Sequence, residues 1–590
     1  MFWISFRVYY ISMIDPYKMI VINGISSVVL IGILLFYKFV YPKKNINLLI
    51  LLILISIVPT ISIFRPGAYE SGDFTIHIYR TIEFYKSLQE GNIVPSWAAG
   101  LNATYGYPLF IFNYSLPYYL ISLFHSLGFT FIMSMKLFLA FNFILSGIFM
   151  YFSTRKLLNN NLAAFTSAVF YQFAPYHLID LHFKVVIGEI LSFTILPLTF
   201  WIIQKMWENR TPLWFLFASI SVALLIMSHV VIALFSIALL FCYALFIAFQ
   251  KKEKFYITTL LIPFLLGSLF TIHVWLTPFF LTQYTQFAKL ADFVYFPQWW
   301  ELLFSPWRFG FLFQGPYGEL SYLLGYIHTA IICISIYILF NKKSSKKIKP
   351  SLLFFFVALV IILFLITPWS KPLWGLFTFL KVTGSHRLLL MAAFISAILA
   401  GYVSLYFLKK KIFIAVIIVL TIFSTILNWG QRKVLPEIND QKLINNVPQS
   451  TANGEGHFYA NPTTRSVKNP WFTKIPKELM TITSGKGDIL SLRRTTTNHT
   501  YVVKLETKAK IRENTLYFPG WKILANDKSI PIKTDKEDLM TFTLPKGLYA
   551  ITILYNDLPV YTTLKMISGG SFLVSLFVVL FLRPRFFRNK

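Results

Sequence analysis

The sequence predicts a polytopic α-helical membrane protein carrying an antiparallel β-domain outside the membrane, and three observations carry that class. Of 590 residues, 56% are hydrophobic and 18% aromatic, with a mean hydropathy of +0.63. Only 13% are charged, about half the share of an ordinary soluble domain. Apolar runs of roughly 18 residues or more recur along most of the chain, the length that spans a bilayer as a helix. The region 429–563 then changes character: it is rich in Thr, Lys and Asn, and its apolar residues alternate with period two.

The charges set the topology. Lys and Arg number 54 against 24 Asp and Glu, a net charge of +30. The basic residues cluster in short segments between apolar runs, which fits orientation by the positive-inside rule better than a nucleic-acid surface. The clusters are Lys43-Lys44, Arg155-Lys156, Lys205 with Arg210, Lys251-Lys252 with Lys254, "KKSSKK" at 342–347, "KKK" at 409–411 and the terminal "RPRFFRNK". With all of them cytoplasmic, about thirteen spans are expected, at 20–41, 47–64, 131–152, 161–179, 188–204, 212–228, 231–249, 256–280, 322–341, 351–367, 388–408, 412–428 and 564–582. The N-terminus then lies outside and the C-terminus inside. "YPLFIFNYSLPYYLISLF" (107–124) must not cross; its Asn113, Pro117 and tyrosines suit an interfacial or re-entrant segment.

The expected organisation is an extra N-terminal helix (1–44), a membrane domain (45–428) with a long first outer loop (65–130), a β-sandwich (429–563), and a last helix with a basic tail (564–590). The strands are read from "YVVKLETKAKI" (501–511), "LMTFTLP" (539–545) and "LYAITILY" (548–555), broken by "FPGW", "NDK" and "PKG". Cys242 and Cys333 lie in apolar runs and are read as packing residues. The N-terminus shows no small-residue cleavage site ahead of its first apolar run.

Within the first outer loop, "YESGDFTIHIYR" (69–80) gathers charge in a chain that uses acids sparingly. Asp73, His77 and Arg80 stand at i, i+4 and i+7, with Glu70 at i−3; a helix starting after Gly72 puts all four on one face. A carboxylate there suits a general base or a cation ligand, and a plain helix N-cap suits Asp73 equally well. A second cluster, "APYHLIDLHFKVVIGEI" (174–190), holds Asp180, Lys184 and Glu189 beside His177 and His182. It lies in a short loop near membrane depth, where ionisable groups mark sites more often than decoration; an Asp180–Lys184 ion pair is the simple alternative. His229 sits at a turn between spans and Arg387 at the outer start of another. Packing explains the histidine and snorkelling the arginine; a clamp on a lipid phosphate explains both. A topology drawn from lysines alone puts all these residues on one side. No P-loop, GxGxxG after a strand, HExxH or CxxC pair is present, so soluble nucleotide chemistry and zinc hydrolysis have no support.

The stretches 66–97, 105–120, 174–189 and "MSHVVIAL" (227–234), with "HRLL" (386–389) and "YFPGWKI" (517–523), resemble the bacterial membrane proteins labelled 6-pyruvoyl-tetrahydropterin synthase-related. That group is similar to GT-C glycosyltransferases, including the YfhO-type proteins. The resemblance implies a GT-C-like membrane domain in the bacterial cytoplasmic (plasma) membrane. It also implies a sugar donor carried on a polyprenyl phosphate and a cell-envelope glycan or lipid acceptor, with no nucleic-acid partner. Asp73 matches the family's first-loop aspartate and His77 its following histidine, and Asp180 and Glu189 match the second acidic segment. Lys184 stands where relatives usually carry arginine, which replaces a bidentate phosphate contact with a point charge.

The expected function is glycosyl transfer on the outer face. Asp73 with His77 would be catalytic, Glu70, Arg80, Asp180, Lys184, Glu189, His229 and Arg387 would hold substrate or phosphate, and the Glu70/Asp73 pair raises the question of a magnesium or manganese ion. The rival readings are a lipid or polysaccharide transporter (flippase), which calls for charged or broken helices at mid-membrane, and a non-catalytic envelope assembly factor.

Overall fold

The apolar runs become helices whose ends are marked by residues that satisfy free backbone groups. Thr130 Oγ1 accepts from Met133 N (3.1 Å) to open the helix Phe131–Leu158, and Asn159 ends it in the left-handed region (φ 50°). Asn47 opens Leu48–Thr60 and Asn160 opens Asn161–Gln172 in the same way. The computed structural model describes residues 2–251, 256–285, 295–342, 348–376, 384–430, 433–447 and 474–581. Lys252, Lys254, most of "KKSSKK" and the terminal basic tail lie outside the described residues.

Among the described residues, eight helices are long and apolar enough to cross a membrane: Lys18–Val40, Phe131–Leu158, Ile187–Asn209, Val230–Gln250, Lys349–Ile366, Ser385–Tyr406, Lys411–Asn428 and Pro559–Phe581. A ninth is the pair Thr259–Phe270 and Ile272–Tyr284, bent by 63°. Leu48–Phe64, Pro212–Ser228 and Tyr326–Phe340 are shorter apolar helices. The expected span at 161–179 departs furthest from an unbroken helix. Asn161–Gln172 is followed by Pro175–Ile179 and a π-helical turn, Asp180–Lys184, because Pro175 has no N–H to give and pushes Ala174 into extended backbone (ψ 134°). The 107–124 stretch forms two short helices, Leu109–Phe112 and Leu116–Ser126, parted at Asn113 and Ser115. Cys242 and Cys333 are free and exposed rather than packed inside; on helices this apolar, an exposed thiol is a lipid-facing one.

Among its described residues the β-region forms nine strands: β3 (Met480–Ser484), β4 (Gly487–Arg494), β5 (Asn498–Leu505), β6 (Ala509–Leu516), β7 (Trp521–Ala525), β8 (Lys528–Ile530), β9 (Lys533–Thr534), β10 (Leu539–Leu544) and β11 (Gly547–Tyr555). They form two antiparallel sheets, ordered β3-β6-β10-β9 and β4-β5-β11-β7-β8. The alternation read from the sequence is the burial pattern: Tyr501, Val503 and Leu505 point inward from β5, and Ile551, Ile553 and Tyr555 from β11. The run 501–511 is two strands rather than one, since the chain changes sheet between Leu505 and Ala509. Asn526 and Asp527, with φ of 48° and 62°, make the tight β7–β8 turn. Side chains join the sheets: buried Glu513 of β6 accepts from Tyr501 OH (2.7 Å) and pairs with His499 Nδ1 (2.9 Å), both on β5.

The β-region is docked on the first loop. Trp97 packs edge-on against Trp521 (5.2 Å) and, at a 37° tilt, against Tyr555 (5.3 Å). Leu516 N donates to Tyr105 O, Arg494 donates to Thr104 O, and Glu90 accepts from Thr496 N (2.7 Å). A two-stranded ladder closes the ring: β1 (Ala68–Tyr69) pairs with β2 (Val434–Leu435). The first loop, the 180–187 turn, His229 and the start of the 385–406 helix therefore gather with the β-region at one end of the bundle. Lys156 with Glu208, and Asn341 with Tyr406, mark the other end.

Candidate functional site

The site forms where the two acidic segments meet. The helix Phe74–Gln89 begins as the sequence predicts, and Asp73 occupies its N-cap position but makes no capping bond. Ser71 Oγ takes that role, accepting from Phe74 N at 3.0 Å. Asp73 itself is half-buried. Gly72 N donates to Phe183 O (2.8 Å) and Asp73 N to Lys184 O (2.9 Å). These bonds stitch the first loop to the π-turn, and a Cβ at residue 72 would stand 2.9 Å from Lys184 O. Val185, just after that turn, has φ 57°. A β-branched residue there is strained backbone held by its surroundings.

Glu189, fully buried in the first turn of Ile187–Asn209, is the hub. It accepts from Lys184 Nζ (2.5 Å), from Tyr176 OH (2.6 Å) and from Arg387 Nη1. Lys184 Nζ also donates to Tyr176 OH (2.8 Å) and stands 3.7 Å from Asp180. The simple Asp180–Lys184 pair exists, then, and is the weaker of the two contacts. Asp180 is fully buried; burial first, and then the Glu189 charge, push its carboxyl well above the usual carboxylate range. Two cations share one carboxylate here, a surplus of one positive charge when Asp180 is protonated.

Arg387 Nη1 lies 3.5 Å from His229 Nε2. Burial, and then Arg387, hold His229 down at about 3, so His229 offers a neutral ring and no cation. Tyr114 joins this group to the first loop: its ring packs 5.6 Å from His229 and 6.3 Å from His77. Burial first, and the Tyr118 hydroxyl next, raise its phenol, while Arg80 and Arg387 act from either side. His77 is buried, with Nδ1 3.1 Å from Tyr118 OH. Burial, then Arg80, hold it well below 6.5. Gly188 makes the approach of these elements close: a Cβ there would lie 2.6 Å from Ser228 O and 2.8 Å from the Tyr114 ring.

The sequence-derived residues divide plainly. Asp73, His77, Arg80, Asp180, Lys184, Glu189, His229 and Arg387 belong to one continuous group. Glu70 does not enter it: its side chain is exposed and its backbone N–H donates to Lys433 O (2.9 Å). Among the described residues no group of three or more His, Cys, Asp or Glu is spaced to hold a metal ion. With Glu70 turned outward, the Glu70/Asp73 pair does not fit a divalent-metal site, and no chemistry is routed through one. His177 and His182 are buried close by in the 175–184 segment, where His177 stacks on Phe193 (3.9 Å) as a packing residue. Sequence reasoning missed Tyr114, Tyr118, Tyr176 and His386, whose ring lies 5.4 Å from Tyr322. Their signal was the tyrosine-rich composition of 105–120 for Tyr114 and Tyr118, the charged 174–190 segment for Tyr176, and the place beside Arg387 for His386.

Beside Asn113 and Val230, the neighbours of Tyr114 and His229, opens an apolar cleft of about 500 Å³. Ile226, Leu234, Trp275 and Phe279 also line it.

Fold and site define a multi-pass membrane protein with a buried polar cluster beneath an extramembrane β-region. The model of the 6-pyruvoyl-tetrahydropterin synthase related domain, a membrane protein family, matches residues 111–431, more than half of the chain. The chain belongs to that family. It is 25% identical over 195 residues to an uncharacterized protein of Lactococcus lactis subsp. cremoris (strain MG1363), 32% of each chain, so it spans about a third of the curated relative it matches. Solved structures with a similar arrangement include the arabinofuranosyltransferase AftD from Mycobacteria (TM-score 0.41, 14% identity, 66% of this chain and 27% of that one). The Archaeoglobus fulgidus oligosaccharyltransferase aligns with a TM-score of 0.40 and 14% identity over 70% of this chain and 54% of that one.

Proposed function

We propose that this chain is a membrane glycosyltransferase. It moves a sugar from a polyprenyl-phosphate donor to a cell-envelope acceptor at the face bearing the β-region, which the lysine clusters assign to the outside of the cytoplasmic membrane. One observation carries the reading: a half-buried carboxylate, Asp73, is bonded through its backbone to the segment bearing Lys184, and an apolar cleft opens beside Asn113 and Val230, the neighbours of Tyr114 and His229. A base for an acceptor, cations for an anion and a groove for a lipid tail are thereby adjacent.

In the proposed reaction Asp73 takes the proton of the acceptor hydroxyl as its oxygen attacks the anomeric carbon. The bond from that carbon to the phosphate oxygen breaks, and the lipid phosphate leaves with the electron pair. Its charge develops beside Lys184 and Arg387, whose joint surplus over Glu189 is one positive charge, with Asp180 held neutral by burial. His229 and Tyr114 contribute hydrogen bonding and shape rather than charge. Burial, and then the buried Arg80 beside it, keep His77 neutral as a packed support for the Asp73 helix. The β-region, anchored on the first loop, positions the acceptor.

The test is transfer from a radiolabelled polyprenyl-phosphate sugar in proteoliposomes to extracted envelope polymer. Asp73→Asn should lower the rate by about 10²–10⁴-fold, the usual loss of a general base, with unchanged expression. Full activity of Asp73→Asn removes the assigned base, and no transfer by the wild type to any polymer favours an assembly factor.

A further inference from the structure

The loop over 295–324 presents an unusual surface. Trp299, Trp300, Phe304, Phe309, Phe311 and Tyr317 are all about half-exposed or more, Phe309 at 93% and Tyr317 at 92%. So many bare aromatic rings exceed what a surface facing only water ordinarily carries. They are not loose. Arg308 and Phe309 both adopt left-handed backbone, φ 46° and 55°, a costly pairing for non-glycine residues, and it is this bend that holds the Phe309 ring outward.

Two apolar helices fix the height of the loop. Asn428, fully buried, accepts from Phe313 N (2.8 Å) and donates to Phe311 O (2.9 Å). Tyr326 OH donates to Gly310 O (2.8 Å). Asn428 is the last residue of the apolar span Lys411–Asn428, an α-helix to Phe423 followed by a 3₁₀ turn at Ile426–Asn428; at about 27 Å for its 18 residues it matches a hydrocarbon core of about 30 Å. Tyr326 opens the apolar helix Tyr326–Phe340. The loop is therefore clamped at the level where hydrocarbon gives way to headgroups, the depth at which Trp and Tyr concentrate in membrane proteins. Its carboxylates are spent on its own turns: Glu301 accepts from Tyr295 OH (2.8 Å) and Gln298 N (2.7 Å), and Glu319 accepts from Tyr317 N (3.1 Å).

We propose that this aromatic loop is a membrane-interface wedge whose partner is the lipid leaflet on the β-region side, with Phe309 and Tyr317 inserted among the acyl chains just below the headgroups. Through Tyr322, which packs on His386 beside Arg387, the wedge is coupled to the polar cluster and fixes the depth of that cluster relative to the bilayer. The inference rests on the multi-pass fold and not on the glycosyl-transfer reading.

The test uses the full chain in nanodiscs of phosphatidylethanolamine and phosphatidylglycerol, with Cys242→Ala and Cys333→Ala removing the native thiols. Phe309→Cys, Tyr317→Cys and, as a water-facing reference on the β7–β8 turn, Asp527→Cys are each labelled with an environment-sensitive nitrobenzoxadiazole dye. Positions 309 and 317 should show blue-shifted emission and lose more of it to lipid carrying a shallow doxyl group than position 527, and less to iodide in the buffer. Iodide quenching at 309 and 317 equal to that at 527, or lipid quenching no greater than at 527, overturns the proposal and turns the surface toward a glycan or protein partner. Phe309 and Tyr317 are almost wholly exposed, so neither substitution removes a packing contact, and the two sites report independently.

Discussion

Glu189→Gln tests the hub of the cluster. The wild-type carboxylate is fully buried and accepts from Lys184, Tyr176 and Arg387, while the side chains of Lys184 and Arg387 are only 12% and 24% exposed. Glutamine keeps the shape and one acceptor oxygen but removes the charge, leaving two cations close together with no counter-ion. Removing one member of a buried pair costs about 3–5 kcal/mol, and here two partners are orphaned by one change, so the upper part of that range is expected. The assay is unfolding of purified protein in detergent by graded denaturant, followed by tryptophan emission. Lys184→Met in the Glu189→Gln background should recover part of the loss, because one orphaned cation goes with it. A double-mutant cycle should then return a coupling of about 0.5–3 kcal/mol. A loss below about 1 kcal/mol, the range of solvated surface pairs, would refute a desolvated cluster.

Three further outcomes follow from the same geometry. Gly188→Ala forces a methyl against Ser228 O and the Tyr114 ring, and should cost about 1–3 kcal/mol in the same unfolding assay; an unchanged midpoint would mean that the elements part freely. His77, held neutral well below 6.5, and His229, held at about 3, take up protons only on unfolding as pH falls below about 6.5. The stability they confer is complete above that pH and is lost as pH falls toward their folded values, by about 1.4 kcal/mol per unit for each. His77→Gln should flatten the acid slope measured below neutrality, and an identical slope would contradict its neutral burial. Glu90→Ala removes the acceptor for Thr496 N (2.7 Å) and should loosen the β-region by about 1–3 kcal/mol, read as faster limited proteolysis within residues 498–555.

What the sequence made legible, it made legible through local rules. Asp73, His77 and Arg80 show themselves by helical spacing, and Lys184 and Glu189 by their cost near membrane depth. Four features were hidden, each for a physical reason. Tyr114 and Tyr176 are two of 32 tyrosines, and only tertiary structure distinguishes a phenol beside Glu189 from one at a lipid interface. Glu70 looked like part of the motif because it sits three residues before Asp73. The β1–β2 ladder claims its backbone and turns its side chain outward, a pairing between distant segments that no local pattern announces. His229 read as a cation donor is in fact a neutral ring, since its charge state depends on burial and on Arg387, 158 residues away. The span expected over 161–179 runs straight through Pro175 and misses both the break there and the π-turn after it; the turn receives bonds from Gly72 and Asp73, which no local pattern announces.

The β1–β2 ladder also orders events in time. The first loop is held by residues made far later: Arg65 donates to Gly430 O, 365 positions on, and Glu70 N–H to Lys433 O. Every charged member of the cluster lies before residue 388, yet the segment that fastens the start of the first loop leaves the ribosome roughly 20–70 s after the loop itself at ordinary elongation rates. Through most of that interval the nascent chain carries only the earlier members of the cluster, Asp73 to His229, with Arg387 still to come and the start of the loop unfastened. The site is completed only when translation is three-quarters done, so a partly made chain carries the residues of the cluster without their arrangement.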